Sequence, residues 1–93
     1  MENFEAVGRY VTYKEKAKSH AIARNNALKD LAYITRVAVD GETSYMIAVD
    51  FDFARAHELL RKAADAHSGM AKAVAETNAA ADACGQPRLM VGK

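Results

Sequence analysis

The chain has 93 residues, a formal net charge of +1, 27% charged residues and 51% nominally hydrophobic ones. Alanine supplies 20 of the apolar residues and only 22 are Val, Ile, Leu, Met or Phe, so at ~25 cal/mol per Å² much of that fraction stabilises one methyl group at a time. One small domain of this kind excludes a two-domain machine and a large enclosed enzyme pocket, and its balanced charge supplies no global field toward DNA or membrane.

From about residue 3 to 33 the chain has no proline and a single glycine, Gly8. Phe4, Val7, Tyr10, Val11, Ala17, Ala21, Leu28 and Ala32 fall within one side of a helical wheel, which predicts an amphipathic helix. Lys14, Lys18 and Asn25 interrupt that side, so its middle is expected to face solvent or acidic groups.

The periodicity then changes. Tyr45, Ile47, Val49, Phe51 and Phe53 alternate with Met46, Ala48, Asp50 and Asp52, the period of a strand. Ile34, Val37 and Val39 precede Asp40-Gly41, a turn signal whose parity puts Val37 and Val39 on the face of Tyr45 and Ile47. A short β-hairpin over about 34–51 is therefore predicted.

A second helix is predicted over about 53–84. Phe53, Ala56, Leu60, Ala63, His67, Met70, Val74, Thr77, Ala81 and Cys84 follow a 3,4 spacing through four heptads, a seam that holds one helix against another. Asp52 is placed to cap its start, and Gly85 followed by Pro87 to stop it. Gly69, about 1 kcal/mol less favourable than alanine in a helix, marks a point where this helix could break. Leu59, Ala64, Ala66, Ala71, Ala73 and Ala80 flank the seam, and small side chains let helices approach closely. Residues 86–93 form a tail after Pro87, read either as a loose end or as a segment that docks on a neighbour.

These elements give a mostly α fold, with α+β as the alternative in the same order: two long antiparallel amphipathic helices joined by a β-hairpin, helix-strand-strand-helix, in one domain over 1–85 and completed by dimerisation. Charge agrees with the pairing, since residues 1–39 carry +3, residues 40–84 carry −4 and the tail +2. Exposed ion pairs contribute ~0 to 1 kcal/mol each, so this asymmetry orients the helices more than it stabilises them. A scaffold this small without a disulfide needs another staple, and association of copies supplies one.

Few residues offer chemistry. His57 and His67 lie about 15 Å apart along one helix, and His20, level with His67 if the helices fold back, sits off the apolar stripe. Surface and interface roles are the expectation, not a metal site. Asp50 and Asp52 flank a strand-to-helix junction, where capping is the simpler reading. Glu58 beside His57, with Arg61 further on, reads as a solvated face. Cys84, at a helix C-terminus whose dipole disfavours a thiolate, reads as a small buried apolar residue. No nucleophile, base and orienting group converge, and no catalytic activity, cofactor or small-molecule substrate is expected.

The one cysteine fits a reducing compartment. The acidic start and the longest apolar run, five residues from Tyr45 to Val49, predict neither a signal peptide nor a membrane span. A cytoplasmic interaction module is expected, self-associating through Phe53, Ala56, Leu60, Ala63, His67, Met70 and Val74, with a protein partner. The alternative is a nucleic-acid-binding accessory protein that lays Arg9, Lys14, Lys16, Lys18 and Arg24 along phosphates.

Overall fold

The computed structural model describes residues 4–41 and 51–90. Among them are two helices, α1 (Phe4–Asp40) and α2 (Phe53–Cys84), packed antiparallel along their length. The molecule is a rod of 71 × 20 × 15 Å.

The second helix has the predicted bounds. The Arg55 backbone N–H donates to Asp52 Oδ1 at 2.9 Å, closing the first turn, and the exposed donors of a helix start are stabilised by such a carboxylate. At the other end Gly85 takes φ 74°, a left-handed conformation that side chains disfavour. Its N–H and that of Gln86 both turn back to the Ala81 carbonyl. The helix runs through Gly69 without a break.

The first helix is longer than predicted and corrects the hairpin. Residues 34–39, expected as its first strand, are the last turns of α1. Ile34 and Ala38 are half-buried because they continue the face that packs on α2, and tertiary burial outweighs the β-propensity of Val37 and Val39. Thr35 fits a helix through its hydroxyl, which donates to the carbonyls of Leu31 at 2.7 Å and Ala32 at 3.0 Å. Asp40-Gly41 ends this helix instead of turning a hairpin, with the Gly41 N–H bonded to the Val37 carbonyl at 3.1 Å. The second strand, over Tyr45 to Val49, lies outside the described residues. Phe53, expected to continue its alternation, opens α2 with its ring edge-on to Phe51 at 4.7 Å.

Both helices present heptads to each other, with residues buried or half-buried throughout. In α1 these are Ala6, Tyr13, His20, Ala27 and Ile34 at positions labelled d, and Tyr10, Ala17, Arg24, Leu31 and Ala38 at a. In α2 they are Ala56, Ala63, Met70, Thr77 and Cys84 at a, and Leu59, Ala66, Ala73 and Ala80 at d. The buried set is Ala6, Tyr10, Ala17, Ala27, Leu59, Ala63, Ala73, Thr77, Ala80 and Ala81. Alanine dominates it, so the core is a thin seam. Thr77, a polar interruption of the heptad, donates to the Ala73 carbonyl at 2.6 Å and so leaves no unsatisfied hydroxyl there.

Candidate interaction surface

The α2 seam is rotated by about half a residue from the predicted one. Ala56, Ala63, Met70, Thr77 and Cys84 belong to both, but Leu59 replaces Leu60, Ala66 and Ala73 replace His67 and Val74, and Ala80 joins the predicted Ala81, both of them buried. Leu59 is 3% exposed and Leu60 is 53% exposed. Counting apolar bulk selects Phe53, Leu60 and Val74, whereas two helices in close contact select the smaller side chains. Phe53 and Leu60 therefore stand outside the seam, His67 is exposed, and Val74 is half-buried at its edge.

What lies on each side of the seam defines two flanks. One is polar, and two shallow troughs run along it between the helices. Ala23, Asp30, Arg55 and Lys62 line the first, and Lys16, His20, Gly69 and Glu76 the second. Ion pairs cover much of this side: Glu5–Arg9, Arg55–Glu58, Glu58–Lys62 and Arg61–Asp65. Among the described residues every ion pair joins groups on one helix or the adjoining tail, so the opposite charges of the two halves do not meet in bridges across the seam.

The other flank is formed by the heptad positions e and b of both helices, on the side of the seam away from the troughs. On α1 it carries Phe4, Val7, Val11, Ala21, Leu28, Ala32 and Val39. On α2 it carries Phe53, Leu60, Ala64, Ala71 and Val74, with the buried Ala81 at its inner edge. Phe4, Val11, Leu28, Val39, Phe53 and Leu60 here are 41–77% exposed, while Ile22, Tyr33 and Val37 point elsewhere on α1. Much of the apolar stripe predicted for α1 is this flank, with only Tyr10 and Ala17 of it in the seam.

The basic residues are not gathered on one face. Arg9 pairs with Glu5 at 3.3 Å, and Lys16 lies over the Tyr13 ring, 5.2 Å from its centroid, on the polar side. Lys14 stacks on Tyr10 across the seam edge, 5.4 Å from the ring centroid, and Lys18 is exposed on the apolar flank. Arg24 enters the seam itself, its Nη1 reaching His67 Nδ1 at 3.1 Å and Met70 Sδ at 3.4 Å. Because guanidinium only donates, His67 Nδ1 is the acceptor in that contact.

His20 departs from its expected surface position. It is half-buried against Gly69, where an added Cβ would stand 3.0 Å from the ring. Periodicity gave no sign of this, although an unexplained glycine in the middle of a long helix is a signal of close approach. Asp52 is the helix cap, and Cys84 is half-buried beside Tyr10, Ala80 and Ala81. Among the described residues no three His, Cys, Asp or Glu side chains are close enough together to hold a metal ion, and no helix is long and apolar enough to cross a membrane.

The tail folds back onto its own helices. Asn78 brackets Leu89, accepting from its N–H at 2.7 Å and donating to its carbonyl at 3.3 Å. The Tyr10 hydroxyl donates to the Pro87 carbonyl at 3.1 Å, and Arg88 pairs with Asp82 at 3.5 Å. The strap thus ties α1, α2 and the tail together at the end holding Phe4 and Cys84. No protein-family model, curated protein or solved structure matches the chain.

Proposed function

We propose that this protein is a non-catalytic interaction module that self-associates through the apolar flank of its helical hairpin. The observation that carries the reading is the division of the large apolar side chains: alanine fills the intramolecular seam, while Phe53, Leu60, Leu28 and Val39 remain exposed beside it. Singly exposed apolar residues are ordinary, but several at neighbouring heptad positions mark an interaction surface.

Shape supports the same conclusion. The radius of gyration is 19.2 Å, where a compact domain of this length has about 12 Å. The chain exposes 7123 Å², about 1,800 Å² more than a compact 10.1 kDa monomer. A standard interface covers about 800 Å² per partner. Association of copies through one such interface would cover somewhat under half of that excess and thicken a thin core in one step. The spread of Arg9, Lys14, Lys16, Lys18 and Arg24 over both flanks and the seam gives the nucleic-acid alternative no single groove to use.

Light scattering across a dilution series tests the proposal. A weight-average mass rising toward twice that of the chain supports it, and a well-folded species of single-chain mass at every concentration overturns it.

A further inference from the structure

We infer that the second copy sits on only one half of the apolar flank, the half near the crossover from α1 to α2, built by Leu28, Ala32, Val39, Phe53, Leu60 and Ala64. The inference rests on the self-association proposed above and adds to it where along the rod the copies meet.

Burial changes along the flank. Toward the end holding Phe4 and Cys84, its e positions Val7, Lys14, Ala21, Val74 and Ala81 are all buried or half-buried. Toward the crossover the same heptad position is exposed at Leu28, Thr35, Phe53 and Leu60. The tail accounts for part of the difference, because the bonds of Asn78 to Leu89 and of Tyr10 to Pro87 lay residues 87–89 over the first end. Nothing of the kind covers Leu28, Phe53 and Leu60 among the described residues. The strap covers part of that end, where Phe4 and Val11 at b positions stay 77% and 49% exposed, so it is the e positions that distinguish the two halves.

Charge separates the halves as well. Among the described residues no e or b position of either helix holds an aspartate or glutamate, yet Lys14 and Lys18 stand there with Arg24 beside them. Overlap of two copies along the whole flank would set this cationic band against its own copy or against the partner's leucines. Either arrangement desolvates charges without an opposite partner, which opposes association. Contact confined to the crossover half leaves the band in water. His57, at a b position between Phe53 and Leu60, lies within this half.

A two-fold arrangement follows, since one patch meets the same patch on its copy. Sedimentation velocity on the full chain and four variants tests it, with helical circular dichroism as the control for folding. Leu28→Lys and Leu60→Lys are each expected to weaken dimerisation by about tenfold or more, the fold-change that about 1.4 kcal/mol represents. Val11→Lys, at the strapped end, and Lys18→Glu, in the cationic band, are expected to change it by less than about threefold. Should Leu60→Lys lose helicity, Leu60→Gln takes its place with the same direction of effect.

Loss of the dimer in Val11→Lys, or tighter dimers in Lys18→Glu, would overturn the placement while leaving self-association standing. A wild-type chain that stays monomeric yet binds anionic phospholipid vesicles would overturn both. The vesicle result would assign the apolar and cationic flank to a lipid surface instead.

Discussion

Gly69 occupies the middle of a long helix, where glycine costs about 1 kcal/mol relative to alanine, and the His20 ring fills the space its missing side chain leaves. The two residues are therefore coupled. Gly69→Ala is expected to gain less stability in the wild-type chain than in a His20→Ala background, where the full propensity gain of about 1 kcal/mol should emerge. Denaturant midpoints of the four members of that cycle measure it, and equal gains in both backgrounds would show that the ring does not occupy the space. At the tail, Asn78→Ala removes both bonds to Leu89 and should free the strap at a cost of about 1 kcal/mol. Faster amide exchange confined to residues 86–90 is the expected signature, and unchanged protection there would contradict it. These pairings were invisible in the sequence because each joins residues on opposite helices or on the tail, and spacing along one chain carries no information about them.

The two helices were readable to different degrees for physical reasons. Asp52 and Gly85 are local signals, since a cap needs only the turn beside it, and they fixed the bounds of α2. Ile34, Val37 and Val39 carry a pattern compatible with either period, and only the packing of Leu31, Ile34 and Ala38 against α2 decides for helix. The seam was half readable. Ala56, Ala63, Met70 and Thr77 belong to any register of the heptad, but the choice between Leu59 and Leu60 depends on how closely the helices approach, and that depends on the alanines of α1. Adjacent leucines make the test sharp: Leu59→Ala should destabilise by about 2–5 kcal/mol as a buried truncation, and Leu60→Ala by less than about 0.5 kcal/mol when measured on the monomer. Thermal or denaturant unfolding of each distinguishes them, and equal losses would place the seam in the other register. Asp52→Ala should cost about 1 kcal/mol through the lost bond to the Arg55 N–H.

The described residues form a hairpin whose helices meet largely through alanine, with Phe4, Val11, Leu28, Val39, Phe53 and Leu60 left exposed on one outer flank. Such a seam stabilises little per residue, because burying a methyl group removes little apolar area from water, and the rod shape leaves more surface exposed than a compact chain of the same mass. Self-association couples to folding in this situation: whatever covers the flank stabilises the folded chain by mass action. The direct measurement is the thermal unfolding midpoint of the wild-type protein followed over about a hundredfold range of concentration. A midpoint that climbs steadily with concentration is the predicted result, and one that stays constant while the helical signal at low temperature is undiminished would contradict the account.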